Sequence, residues 1–288
     1  MHAPRLGIGI ISAGKVGTVL GAALAASGHR ITGIHAVSQE SRDRADALLP
    51  GVEVLDPAEI LRRSELVLFA VPDDVLGGLV AGLAAAGHFV PGQLVAHTAG
   101  RYGTGILQPA IDAGVFPLAI HPAMTFTGLS LDLQRLTDCV FAVTADEVML
   151  PVAQALVVEM RGEPVVIAEE DRVSYHAALA HAANHLNTIT AQSADMLRRI
   201  GVEEPANTLR ALMSASLDNA LRSGAGALTG PVARGDVGTV RAHLGALQAD
   251  PAETNDSYRS LSRATAIRAA ARGLISQSTL AELLQVLE

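Results

Sequence analysis

The chain has 288 residues, 49% of them hydrophobic and 17% charged, with a formal net charge of −8 and a pI near 5.7. That length fits two domains of roughly 100–200 residues each, the composition excludes a disordered chain, and no apolar run reaches the roughly 18 residues of a membrane span. The acidic balance excludes a general binder of nucleic acid, because phosphate-backbone affinity needs many clustered Lys and Arg. The first residues show no signal-peptide cleavage pattern, so the expected location is the cytoplasm. A lone cysteine, Cys139, can make no intrachain disulfide and no zinc cluster, and is read as a packing residue with no metal expected. Lys15 is the only lysine, which excludes lysine catalysis anywhere else.

Taken in order, β-branched runs at 6–11, 31–37, 52–55, 66–71, 94–97, 115–120, 140–143 and 165–167 alternate with Ala/Leu/Gly stretches of helical length. This is the rhythm of a parallel sheet wrapped by helices. The first five runs read as buried strands, and the last three extend the sheet in directions the pattern leaves open. Gly28 and Gly87 stand where left-handed residues end helices, and Asp73 where a cap would start one at Asp74. From about residue 169 the alternation gives way to long helical periodicity, as in 179–197, 209–221 and the amphipathic stretch 257–287. The expected class is therefore α/β, a Rossmann-type, mostly parallel sheet over residues 1–168 followed by an all-helical domain over 169–288.

The first strand leads into Ser12-Ala13-Gly14-Lys15-Val16-Gly17, which matches the dinucleotide fingerprint G-x-G-x-x-G except that Ser12 replaces the first glycine. Gly14 would let the backbone approach a pyrophosphate and Gly17 would let helix and strand pack closely, while the N–H groups from Lys15 and Val16 onward face the anion. The second strand ends without the acidic residue that holds the ribose hydroxyls of NAD. Ser38, Ser41 and Arg42 stand there instead, and a guanidinium is suited to a 2′-phosphate. NADP is the expected cofactor, with Glu40 the one contrary charge. Val71 and Pro72 after the fourth run would pack on the cofactor, and Thr98 after the fifth would reach the nicotinamide or the substrate, since open α/β sheets bind ligands at their carboxyl edge.

These loops, with 121–126 beginning His121-Pro122, with Tyr175-His176 through Asn184, and with 228–236 containing Thr229-Gly230-Pro231, resemble one two-domain family along nearly the whole chain. It is the Rossmann-like proteins with a C-terminal helical domain of unknown function, in the superfamily of 6-phosphogluconate dehydrogenase, ketopantoate reductase and pyrroline-5-carboxylate reductase. The resemblance implies a nicotinamide-dependent oxidoreductase whose helical domain forms a homodimer, acting on a small molecule. It departs from the ketopantoate reductases and 6-phosphogluconate dehydrogenase in lacking their lysine on the first helix of the second domain. A ketone reductase must then protonate its developing alkoxide with another group.

Histidine is the natural substitute. His121 precedes a proline that biases it to an extended backbone. His176, His181 and Asn184 share one helix and, at about 100° per residue, can address one broad face. Asn184, in an apolar stretch, is expected as a buried amide that orients substrate. His97 and His185 are read as structural. Arg234, beyond the helix-breaking Gly230-Pro231, would clamp a carboxylate or pair with Asp236. The first reading is NADPH-dependent reduction of a small 2-oxo acid such as ketopantoate (2-dehydropantoate), with His121 or His176 as proton donor. The alternatives are an imine reductase like pyrroline-5-carboxylate reductase, to which the missing lysine would not matter, and a non-catalytic NADP-binding sensor. His121-Pro122 is also similar to the His-Pro of prephenate and arogenate dehydrogenases.

Overall fold

The computed structural model describes residues 5–288. They form two compact units that divide after Ala183. The first unit contains β1 (Gly7–Ile11), α1 (Lys15–Ala26), β2 (Arg30–His35), α2 (Gln39–Leu48), α3 (Pro57–Arg63), β3 (Leu66–Phe69), α4 (Asp73–Ala85), β4 (Leu94–His97), α5 (Gln108–Ile111), β5 (Phe116–Pro122), α6 (Leu131–Arg135), β6 (Val140–Thr144), α7 (Leu150–Glu159) and β7 (Glu163–Val166). The strands pair in the order β2-β1-β3-β4-β5-β6-β7. The first five run parallel, β6 runs antiparallel to β5, and β7 runs parallel to β6.

Alternation along the strands splits the core into two layers. Ile8, Leu66, Leu68, Leu118, Ile120, Phe141 and Val143 face Val19 and Leu20 of α1 and Leu156 of α7. Val67, Phe69 and Val95 face the opposite side, against Ile60, Leu76 and Val80. The run at 52–55 is a correction, because it adds only a single bridge, Val54 to Ile34, at the outer edge of β2. Two backbone bonds hold it there, Ile34 N–H to Glu53 O and Leu55 N–H to Ile34 O, too few for a strand. Gly28 and Gly87 are left-handed as expected, with φ of +101° and +70°. Asp73 is the first residue of α4 rather than its cap, and Pro72 stands in the capping position. Cys139 is buried in the first core layer.

The change from alternating to helical structure falls after β7, and the units divide inside the next element, α8 (Arg172–Arg199). The second unit continues with α9 (Pro205–Ser223), α10 (Gly230–Arg234), α11 (Val237–Ala246), α12 (Ala252–Ala271) and α13 (Gln277–Val286). Its core is Val232, Val240, Leu244, Ala266, Ala269, Leu283 and Leu287, drawn from α10 to α13. α9 buries only Pro205 and Leu209. No helix among the described residues is long and apolar enough to cross a membrane.

Leu283 is fully buried at the centre of the helical core. Leu283→Ala is expected to cost about 2–5 kcal/mol through the cavity it leaves. A denaturant midpoint unchanged from the parent would show that α13 is not part of a cooperative core.

Candidate active site

Strand order reverses between β1 and β3, which opens a crevice at the carboxyl ends of the parallel strands. β1 ends at Ile11, and Ser12 turns the chain with a left-handed φ of +91°. That conformation costs a non-glycine residue about 1–2 kcal/mol, so Ser12 does the first glycine's work under strain. Gly14 is extended and caps α1 without a side-chain bond. A Cβ on Gly17 would stand 2.2 Å from the Ser12 carbonyl oxygen and 3.0 Å from the Ala70 Cβ, so only glycine lets α1 lie this close to the turn. The first-turn N–H groups, including those of Lys15, Val16 and Gly17, have no helical acceptor and suit a phosphate.

Beside this turn, Ser38 caps α2 by accepting from the Ser41 N–H at 3.1 Å, and the Ser41 hydroxyl donates to the Ser38 carbonyl. Arg42 is exposed one residue further on. Val37, 76% exposed two residues past the end of β2, offers an apolar surface of the kind an adenine ring covers. Arg44 is a residue the sequence reading missed. Its Nη1 donates to the Ala13 carbonyl at 2.9 Å and its Nη2 to Glu40 at 2.6 Å, tying α2 to the phosphate turn and engaging the contrary charge. Gly128, left-handed at φ +80°, lies against both Arg44 and Lys15. The buried Asp132 carboxylate holds that segment by accepting from the N–H groups of Thr127 and Gly128 at 2.7 and 2.8 Å. These bonds hold its carboxyl below the usual range despite burial, which by itself would raise it. On the other side of the crevice Val71 is half-buried and Pro72 exposed. Turn, bare helix end and flanking cations together fit a dinucleotide phosphate.

The carboxyl ends of β4 and β5 carry the second half of the site. His97 is fully buried and structural, as expected. Its Nδ1 accepts from the Ala99 N–H, so Nε2 carries the proton and donates to the Gly103 carbonyl at 2.8 Å. Burial lowers its pKa to about 4, with Arg172 adding to the effect. Thr98 follows, half-buried, with its N–H bound to the Phe69 carbonyl.

His121, at the end of β5, has Nδ1 3.0 Å from the Tyr175 hydroxyl, and the two rings meet edge to face. His176 packs edge to face on His121 with ring centroids 5.9 Å apart. Gly100 is the third wall. A Cβ there would come within 2.5 Å of His176 Cδ2 and 2.9 Å of His121 Nε2, so its missing side chain lets the two imidazoles close on the β4 loop. His121 is held neutral, its pKa lowered to about 4 by burial first, then by His176, Arg172 and His97. Tyr175 shifts the other way, its pKa raised by burial against the pull of Arg172. His121, Tyr175 and His176 are each half-buried, so all three rings keep some accessible surface. Tyr175 and Gly100 were not singled out as site residues. The signal for Tyr175 was present, since it is one of only three tyrosines and adjoins His176.

Not all of the expected site assembles. His181 is exposed on α8, a turn and more beyond His176. The expectation of a buried Asn184 is not met, because residues 181–188 are exposed on every side. Its alanines make the stretch read as apolar without burying it. In the second unit, Arg234 is exposed at the end of α10. Asp236 caps α11 by accepting from the Thr239 N–H and hydroxyl, and these bonds, with the charge of Arg234 adding to them, hold its carboxyl below the usual range. Among the described residues no group of three His, Cys, Asp or Glu side chains is placed to hold a metal.

Sheet order, switch-point crevice and phosphate turn define a dinucleotide-binding Rossmann protein. The family comparison agrees, since residues 1–122 match a Rossmann-like domain and residues 139–265 match a domain of unknown function, DUF2520. The chain thus carries a Rossmann-like domain followed by a DUF2520 domain. No curated protein matches it. Solved structures share the fold at low identity. A provisionally assigned NADP oxidoreductase from Bacteroides fragilis is 23% identical over 91% of this chain and 98% of its own, with a TM-score of 0.77. An imine reductase from Pseudomonas sp. is 16% identical over 99% and 100%, with a TM-score of 0.68. The pyrroline carboxylate reductase of Plasmodium falciparum, solved with NADP bound, is 13% identical over 98% and 99%, with a TM-score of 0.61.

Gly100→Ala tests the cluster directly. It is expected to displace His121 or His176, seen as altered imidazole NMR signals in a protein with unchanged far-ultraviolet dichroism. Unchanged imidazole signals would mean that the rings do not close on Gly100.

Proposed function

We propose that the chain is an NADP(H)-dependent oxidoreductase reducing the carbonyl of a small 2-oxo acid, with ketopantoate the first candidate. The observation that carries this reading is a neutral imidazole bonded to a protonated phenol, His121 and Tyr175, at the same sheet edge as the phosphate turn. The dinucleotide-binding geometry and the likeness to the NADP oxidoreductase fold support the cofactor. NADPH held at the phosphate turn would supply the hydride for the carbonyl carbon and so be oxidised to NADP+.

The protein's own residues supply the proton. As the C=O electron pair moves onto oxygen, His121 donates its Nε2 proton to that oxygen and takes the Tyr175 proton at Nδ1. The Nδ1 proton then returns to Tyr175 and Nε2 takes a proton from solvent, which restores the resting pair. A neutral imidazole suits this role, since it can polarise a carbonyl by hydrogen bonding without being an imidazolium. Thr98 and His176 flank the reacting group, and Ser12, Gly14, Lys15, Val16, Gly17, Ser38, Ser41, Arg42, Val71 and Pro72 line the cofactor. His181, Asn184 and Arg234 remain exposed polar groups to which no step is assigned. Imine reduction is the second reading, favoured by the fold shared with the Pseudomonas enzyme.

The second unit is proposed to form a homodimer. Leu212, Leu217 and Leu221 of α9 are 64%, 47% and 78% exposed, and Leu186 of α8 is 40% exposed beside them. Leu186 and Leu217 line a groove of about 350 Å³ together with Leu209 and Met213. Such an apolar face on a surface helix is what an interface core requires. Light scattering is expected to give twice the 29.7 kDa chain mass, and a single species at the chain mass would contradict the assembly.

Steady-state screening with NADPH against ketopantoate, other 2-oxo acids and pyrroline-5-carboxylate separates the readings. Turnover on the cyclic imine alone would overturn the first, and NADPH binding without any turnover would indicate a sensor. On the active carbonyl substrate, His121→Gln and Tyr175→Phe are each expected to slow turnover about 10²–10⁴-fold with NADPH affinity retained.

The pH profile follows from the same assignment. His121 must be neutral to accept from Tyr175, and its pKa is lowered from 6.5 to about 4. Activity should therefore persist as pH falls through 6.5 and be lost only toward 4. An acid limb at the ordinary histidine value would remove His121 from the step.

Arg42→Ala is expected to weaken NADPH about ten- to a hundredfold and leave NADH nearly unchanged. Equal affinities for the two cofactors in the parent protein would refute the NADP assignment.

A further inference from the structure

We infer that Arg172 is a specificity-determining residue that biases this site toward substrates whose reacting atom gains negative charge and against cationic ones; the inference rests on the oxidoreductase reading above. Arg172 opens α8 and is fully buried, with 0% of its surface exposed. Its hydrogen bonds all go to neutral acceptors. Nε donates to the Thr144 hydroxyl at 2.7 Å, and Nη2 donates to the carbonyls of Ala119 and Ala142 at 3.0 and 3.2 Å. Nη1 has no partner. Glu169, which acts on Arg172 electrostatically, spends its carboxylate on the N–H groups of Thr104 and Gly105. The guanidinium is thus a buried cation with no carboxylate bonded to it.

Its position brings that charge to bear on the reacting groups. Ala142 lies directly opposite His121 in the β5–β6 register, and Ala119 precedes His121 by two residues on the same strand. Tyr175 and His176 follow Arg172 by three and four residues, one turn along α8. The titratable and charged groups facing His121 are therefore Tyr175, His176 and Arg172 from α8 and His97 from β4. None is a carboxylate; Tyr175 is a phenol held protonated by burial, and Glu169, the carboxylate that acts on Arg172, does so without bonding it. In a weakly polar interior such a charge acts strongly on its neighbours. Reduction of a carbonyl builds an alkoxide, which the field stabilises. A protonated imine arrives as a cation, which the field repels before hydride transfer begins.

The hydrogen bonds of Arg172 tie α8 to β5 and β6, but its charge adds a cost to that anchoring. Removing a cation from water is costly, and a hydrophobic side chain of similar length often serves a fold as well or better. Its effect on His121 is consistent with a functional role, because Arg172 is among the groups that keep the imidazole neutral.

The test uses the full chain with NADP+ bound. In the histidine NMR titration of the parent, His121 is expected to turn over near pH 4. Arg172→Met should raise that midpoint by about half a unit or more, and the charge-retaining Arg172→Lys should return most of it. In calorimetry, oxamate, an inert anionic analogue of a 2-oxo acid, should bind the parent about tenfold or more tighter than pyrrolidinium. Arg172→Met should narrow that ratio about fivefold or more, and Arg172→Lys should not. A parent midpoint at the ordinary 6.5 overturns the inference. So does a preference of the parent for pyrrolidinium, which needs no variant if Arg172→Met does not fold. A midpoint unmoved by Arg172→Met also overturns it, even if neither probe binds. Failure of NADP+ itself to bind would instead count against the oxidoreductase reading.

Discussion

A guanidinium shut away from water joins the end of the sheet to the start of the longest helix. Arg172 bonds both members of the Ala119–Thr144 cross-strand pair and the carbonyl of Ala142, where β6 turns antiparallel to β5. Those carbonyls belong to paired positions of β5 and β6, so one side chain grips both strands. Because Arg172 is the first residue of α8, anchoring it sets the rotation of the helix. Tyr175 and His176 are carried to His121 as a consequence, and Gly100 leaves the space into which the rings close.

The resulting site has an uncommon electrical character. It gathers imidazoles, a phenol and a buried cation without a lysine and without a carboxylate on the reacting rings. Burial disfavours the charged form of both His121 and Tyr175, so the pair rests with its protons shared between neutral groups. In the proposed step a proton passes along the pair, and Tyr175 is charged only until Nδ1 returns its proton. Arg172 supplies the fixed charge that such a pair lacks.

The cofactor side follows a different logic, in which backbone rather than side chains does most of the work. Ser12 accepts a strained turn, Gly17 lets the helix close on it, and Arg44 reaches from α2 to hold the Ala13 carbonyl. The loop held by Asp132 lies over the same cations, so phosphate turn, α2 and the segment before α6 form one braced surface. In the second unit, packing among α10 to α13 is complete in one chain, whereas α9 presents its leucines outward.

Local chemistry was enough to read the strand–helix alternation, the phosphate turn, the left-handed Gly28 and Gly87, and the helical second half, because each depends on neighbours within a few residues. The 52–55 run misled for the same reason, since its β-branched residues are those of a strand but only pairing across space decides whether a strand forms. Asn184 misled because alanine-rich hydropathy does not distinguish a buried helix from an exposed one. Tertiary structure alone decided that β6 runs antiparallel, that Arg44 braces a turn 31 residues before it, and that Tyr175 meets His121 across 54 residues of chain. It alone decided that Arg172, which in sequence is one more charged residue at a helix start, is a buried cation. Such placements come from how the sheet's last strands close against α8, and no periodicity in the chain records that closure.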